Sequence, residues 1–167
     1  MIYTIFSSPM GDILVTSDGE KILRFGFVGQ KYLVEVPKEW AEKSDHKLLS
    51  EAKRQTDDYF SGKRKQFELP LFANGTPFQK KVWRALETIP FGQVTSYREI
   101  ARKIGNPKAV RAVGAAIGRN PIGIIIPCHR VIGTNGTLTG YAGGLDRKQL
   151  LLKLEGVVHF TEYSVLK

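Results

Sequence analysis

The chain has 167 residues, of which 42% are hydrophobic and 25% charged, a balance that suits one or two globular domains with a real core. No apolar run approaches the roughly 20 residues of a membrane span. The start, MIYTIFSSPMGD, lacks the basic and long apolar regions of a signal peptide, and a single cysteine excludes an internal disulfide. A cytoplasmic protein with no membrane partner is expected. His46, His129 and His159 are far apart and no Cys/His ligand spacing occurs, so neither metal nor cofactor is expected. The net charge is +9, which suits a polyanionic partner or merely a basic, soluble surface. From Lys80 to Arg130 there are ten Lys/Arg against Glu87 and Glu99, so that +8 of the +9 lies in this span.

In chain order, Ile2–Phe6 reads as a short strand. Residues 12–17 and 21–27 flank Asp18-Gly19, a hairpin signal. Lys47–Phe60 reads as a helix with Leu48, Leu49, Ala52, Tyr59 and Phe60 on its apolar stripe, ended by Gly62. Residues 67–72 read as an edge strand because Pro70 cannot donate to a ladder. Ala73-Asn74-Gly75 is the linker, which divides the chain into residues 1–73 and 74–167.

Beyond the linker the pattern is helical. Thr76-Pro77-Phe78-Gln79 reads as a capping box with proline at the first helical position, and Phe78, Val82, Ala85, Leu86 and Ile89 follow at helical spacing. Pro90-Phe91-Gly92 breaks the helix. Ser96 caps a second, with Glu99 at its third position. Gly105-Asn106-Pro107 is a tight turn, with Asn106 as cap of a third helix over residues 108–117. This pair is a helix-turn-helix candidate or a plain helical corner. The third helix carries Gly114, Ala115 and Gly118, a composition poor for helix stability, which suits either close helix packing or close approach of a bulky partner. Asp146 is expected to cap a last helix with Leu150, Leu151 and Leu154 facing a core, and Gly156 ends it.

Cys128 sits in IIIPCHRVIG. A free thiol has a pKa of about 8.5, so a reactive cysteine needs a base or cation nearby. His129 is adjacent and Arg130 follows, yet three preceding isoleucines suggest a buried strand, and free cysteine is often simply buried. Extended geometry would point Cys128 and His129 opposite ways. Glu155 falls at a helix end where the dipole disfavours an anion by about 0.3–1 kcal/mol. It is either solvated or the carboxylate that orients a histidine.

Pro127-Cys128-His129-Arg130-Val131 resembles the acceptor-site signature of the O6-alkylguanine-DNA alkyltransferases. The similarity begins at Thr76-Pro77-Phe78-Gln79. It continues through Pro90-Phe91-Gly92, Ser96-Tyr97, the run from Gly105 to Gly114, and Asn120-Pro121. It ends at Tyr141-Ala142-Gly143-Gly144-Leu145 and Leu154-Glu155-Gly156. The resemblance implies an α+β protein: a small N-terminal sheet-plus-helix domain, then a mostly helical domain with a winged-helix-like helix-turn-helix and an active-site cysteine loop. It implies a DNA-repair protein, a monomer, that flips O6-alkylguanine, and O4-alkylthymine too, out of duplex DNA. The alkyl group passes irreversibly to Cys128. His129 would take the thiol proton through a water and Glu155 would hold the imidazole. Asn120 would brace the turn before the active site. Tyr97 would hydrogen-bond the guanine, and Arg111 would fill the stack. Arg98, Asn106 and Gln79 would join them at the DNA, with Ala115 and Thr134. Val131, Tyr141 and Ala142 would line the base pocket. Gly123 and Ala142 stand where some members have proline and serine. Two other readings stay open on the residues alone: a damaged-DNA-binding module with a structural Cys128, and a cysteine hydrolase.

Overall fold

The computed structural model describes residues 1–33 and 35–157. The described residues form two compact units: Met1–Asn74 with Pro121–Ile125, and Gly75–Asn120 with 126–157.

The first unit is built on a four-stranded sheet of order β3-β2-β1-β4. Strand β1 is Ile2–Phe6, β2 Ile13–Ser17, β3 Ile22–Phe27 and β4 Ala41–Glu42. The β1–β2 and β2–β3 pairs are antiparallel and β4 runs parallel to β1. Asp18 makes the hairpin turn, its Oδ1 accepting the backbone N–H of Glu20 and Lys21, both at 2.9 Å, while Gly19 takes φ of +102°, where a side chain would strain. Helix α1, Lys47–Phe60, covers the sheet through Leu49, Ala52, Gln55, Thr56 and Tyr59. Its cap is His46, whose imidazole accepts from Leu48 N. The expected edge strand at 67–72 shrinks to one bridge, Leu71 to Ile22. Gln55 holds this segment instead, donating to Glu68 O at 3.2 Å and accepting from Glu68 N at 2.8 Å.

The isoleucine run is a turn and not the expected buried strand. Phe25 N donates to Pro121 O at 2.9 Å, and Gly123 N to Phe25 O at 2.8 Å. Ile124 takes φ of +66°, which costs about 1–2 kcal/mol for a non-glycine residue. Its side chain is 4% exposed, and burying it returns about 1.5–3 kcal/mol, so the strained conformation holds.

In the second unit α2, Pro77–Leu86, starts with the reciprocal Thr76–Gln79 capping box. Trp83 Nε1 donates to Ala116 O at 2.8 Å and ties α2 to α4. Helix α3, Tyr97–Lys103, is capped by Ser96, which accepts from Glu99 N. Helix α4 is Val110–Gly118, two residues later than expected, and Ala109 stands at its cap without a side-chain hydrogen bond. Asn106 therefore does not cap it. Its backbone carbonyl instead accepts from Ala109 N at 3.0 Å, closing a turn. Strand β5, Thr95–Ser96, pairs in parallel with β6, Val131–Ile132. Helix α5, Leu145–Leu154, has Gly144 at its cap. Asp146 lies in its first turn, favoured there by the dipole, and does not cap it. Leu151 and Leu152 are buried, whereas Leu150, expected in the core, is 49% exposed. Ile132, Leu138, Leu152 and Val157 form the core cluster that seats α5. Among the described residues no helix is long and apolar enough to cross a membrane.

Candidate active site

Pro127 leads into a single 3₁₀ turn, Cys128–Arg130. Successive side chains in such a turn are about 120° apart, not opposed as in a strand. His129 and Arg130 are thereby free to converge on one group, and that group is Glu155, the residue just past α5. Glu155 Oε2 lies 2.8 Å from His129 Nε2. Arg130 Nε donates to Glu155 Oε1 at 2.7 Å and an Arg130 terminal nitrogen to Oε2 at 2.9 Å. The other terminal nitrogen donates to Ile89 O at 2.7 Å, and the guanidinium lies 5.8 Å from the Phe91 ring centre. Gly92 N also reaches Glu155 Oε1 at 3.5 Å. A β-carbon on Gly92 would stand 3.2 Å from Glu155 O, which accounts for glycine in the Pro90-Phe91-Gly92 break.

Glu155 is 5% exposed, so the solvated alternative is excluded. Burial pushes its carboxyl up, but the hydrogen bonds from His129 and Arg130 win and hold it well below the usual range. His129 is wholly buried. Burial lowers its pKa, opposed in part by the Glu155 hydrogen bond, so the neutral imidazole prevails at pH 7. A neutral ring beside a carboxylate carries its proton on Nε2. Nδ1 is then a lone pair, buried and without a hydrogen-bond partner among the described residues.

Cys128 is 7% exposed. Burial raises its pKa, while the Asn120 amide and the Lys148 charge pull it down. Asn120 Nδ2 also donates to Ile126 O at 2.8 Å, which fixes the chain two residues before the thiol.

Lys148 is wholly buried. Its Nζ donates to Thr139 O at 2.7 Å and Gly140 O at 3.4 Å and lies 6.0 Å from the Tyr97 ring centre. Burial lowers its pKa to about 8, so most of it is charged at pH 7. Tyr97, the first residue of α3, accepts from Thr139 Oγ1 at 2.9 Å. Its own pKa is raised, by burial first, and it stays a phenol.

The sequence-predicted residues fall into two sets. Cys128, His129, Glu155 and Asn120 come together around the 3₁₀ turn. Val131 is buried beside them, with Tyr141 and Ala142 half-buried on the loop before α5. Arg111, Ala115, Arg98, Asn106 and Thr134 are exposed and Gln79 is half-buried, its carbonyl already serving the α2 cap. On α4, among the described residues, a β-carbon at Gly118 would meet nothing within 4 Å, and one at Gly114 would make only ordinary contact with Tyr97. Helix packing inside the unit therefore does not explain these glycines.

Three residues of the site escaped the sequence reading. Arg130, expected to supply positive potential at the thiol, instead clamps Glu155. Thr139 carries no local signal. Lys148 did carry one: Lys148, Leu151, Leu152 and Glu155 fall at helical spacings of three and four, which places Lys148 on the buried stripe.

A buried thiol with a cation and an imidazole–carboxylate pair at hand defines a class of protein built for nucleophilic chemistry at sulfur. Comparison with known proteins gives the family. Residues 77–157 match the DNA binding domain of 6-O-methylguanine DNA methyltransferase and residues 1–73 its ribonuclease-like domain. A methylated-DNA–protein-cysteine methyltransferase of Methanosarcina acetivorans is 54% identical over 156 residues, covering 93% of this chain and 99% of that one. The constitutive enzyme of the same name from Bacillus subtilis is 48% identical, covering 93% and 95%. The crystal structure of Mycobacterium tuberculosis OGT in complex with DNA superposes with a TM-score of 0.86 at 41% identity over the whole of both chains. This chain belongs to the 6-O-methylguanine DNA methyltransferase family.

Proposed function

We propose that this protein removes the alkyl group from O6-alkylguanine in duplex DNA and keeps it on Cys128. The observation that carries the reading is the hydrogen bond between Glu155 and His129, which shares a 3₁₀ turn with Cys128, with the imidazole's basic Nδ1 unengaged by any described residue. His129 takes the thiol proton, through a water where the two atoms do not touch, and the resulting imidazolium is stabilised by Glu155. The thiolate attacks the alkyl carbon. An S–C bond forms, the C–O6 bond breaks, and its electron pair passes to the guanine, which Tyr97 helps to neutralise by hydrogen bonding. The free thiol has a raised pKa, so deprotonation belongs to the loaded site. The thiol proton passes to His129 and the guanine anion takes a proton from Tyr97. The imidazolium and phenolate then return to their neutral forms by exchange with water, so one proton moves in all from thiol to guanine. A thioether is not cleaved by a neutral imidazole, a carboxylate or a phenol, so the product is stable and each molecule acts once.

The target oxygen lies within a paired base, so the nucleotide must leave the stack. Arg111, exposed at the start of α4, fills the gap. The Gly114, Ala115 and Gly118 face of α4 lets the helix approach the duplex, with Arg98, Asn106, Gln79 and Thr134 along the same interface. Val131, Tyr141 and Ala142 border the extruded base. O4-alkylthymine presents the same alkyl–oxygen bond and is a second substrate. On this reading residues 1–73 are an accessory domain, residues 74–167 the DNA-binding and alkyl-acceptor domain, and the protein works in the cytoplasm. The test uses Cys128→Ala with a duplex carrying one O6-methylguanine. The variant binds that duplex with wild-type affinity and removes no methyl group; methyl removal by the variant would overturn the assignment.

A further inference from the structure

Tyr97 has one hydroxyl proton, and the base it serves needs that proton aimed inward. Thr139 Oγ1 donates to Tyr97 Oη at 2.9 Å, which occupies the phenol oxygen as an acceptor. A phenol that accepts from one neighbour donates to another, and on the alkyl-transfer reading that other group is the incoming base. Thr139 lies on an exposed stretch of loop, yet its position is determined. Its own carbonyl takes the ammonium of the buried Lys148 at 2.7 Å, and the preceding Leu138 is 2% exposed in the core that seats α5. The same Lys148 stands 6.0 Å from the Tyr97 ring, so one buried cation anchors both the threonine and the face of the tyrosine. The donated hydrogen bond also stabilises negative charge on the phenol oxygen, making Tyr97 a better proton donor at the moment the guanine leaves.

We propose that Thr139 is a positioning residue for the transfer step: its hydroxyl commits the Tyr97 proton to the extruded base. The proposal rests on the alkyl-transfer reading above.

The experiment measures single-turnover transfer from an O6-methylguanine duplex by wild type, Thr139→Ser, Thr139→Val, Tyr97→Phe and the Thr139→Val/Tyr97→Phe pair, with duplex affinity measured alongside. Valine keeps the shape of threonine and removes the hydroxyl; serine keeps the hydroxyl. Loss of one such hydrogen bond should slow transfer about three- to tenfold in Thr139→Val, with affinity unchanged, and Thr139→Ser should restore the rate. In the Tyr97→Phe background Thr139→Val should have no further effect, because the group it acts through is gone. Full activity of Thr139→Val, or an equal slowing with and without the Tyr97 hydroxyl, would overturn the role. A wild-type protein that transfers nothing would sink the alkyl-transfer reading itself, and the role of Thr139 with it; that result is distinct from an active wild type with an indifferent Thr139.

Discussion

Two ionic clusters, one in each unit, lie at opposite ends of the energy scale. On α1 of the first unit, Lys53 pairs with Asp57 at 2.8 Å, and Arg54 with Glu51 and with Asp58, all one helical turn apart and solvent-exposed or nearly so. Each such pair contributes about 0.2–1 kcal/mol and serves the helix. In the second unit one carboxylate, Glu155, is enclosed by His129 and Arg130. Breaking a buried arrangement of that kind costs about 3–5 kcal/mol, because a charge is left uncompensated. A cost on that scale is borne where a protonation state has to be held. Arg130 keeps Glu155 ionised, and Glu155 keeps the His129 proton on Nε2.

The sharpest break in that contrast is Arg130→Ala. It should destabilise the protein by about 3–5 kcal/mol, read as a lower urea midpoint, and should slow transfer even where the protein is fully folded. A midpoint shift below about 0.5 kcal/mol would mean that Glu155 is not held by this clamp. Next is Gly118→Leu on α4. No described residue lies within 4 Å of a β-carbon there, and leucine is the better helix former by about 0.5–1 kcal/mol. Stability should hold or rise slightly, while duplex affinity falls at least about tenfold from steric exclusion, a change of about 1.4 kcal/mol. Unchanged affinity would remove α4 from the DNA interface.

The third is the pH dependence of stability. The folded-state pKa of His129 lies below its ordinary value, by burial first. Below pH of about 6.5 the unfolded chain takes up a proton that the folded protein refuses. Its contribution is therefore complete above that pH and declines as pH falls, by at most about 1.4 kcal/mol per unit. Urea midpoints at pH 7.5 and 5.5 should differ in that sense, and His129→Gln should flatten the difference; a midpoint that rises on acidification contradicts the neutral buried imidazole. The smallest effect is Asp57→Asn, which should change stability by about 0.5 kcal/mol or less and transfer not at all. A large effect would mean that the first unit's surface pairs are not the weak partners of this comparison.

Much of the scaffold is legible in the residues. The ends of α1, the Asp18-Gly19 hairpin and the Thr76–Gln79 capping box follow from local hydrogen bonding, which a short window contains. The failures are cases where a distant partner decides. Asn106 has the right chemistry for a cap, yet the chain uses its backbone carbonyl in a turn and starts α4 at Val110. The isoleucine run has strand propensity, but pairing with Phe25 turns it through a left-handed Ile124. Leu150 fits an apolar stripe by type, whereas the stripe that is buried runs through Lys148, Leu151 and Leu152. At the site, the adjacency of Cys128 and His129 was visible and their relation was not, because it depends on a 3₁₀ turn in place of a strand. Glu155 was an oddity at a helix end; only the fold places Arg130 and His129 on it.

The most direct measurement is the intact mass of the protein after incubation with excess duplex carrying one O6-methylguanine, followed by peptide mapping. The protein should gain one methyl group per molecule, located on Cys128, and the gain should not increase with more duplex or longer time. No gain on a protein that still binds the duplex, or a methyl group found on another residue, would contradict the assignment.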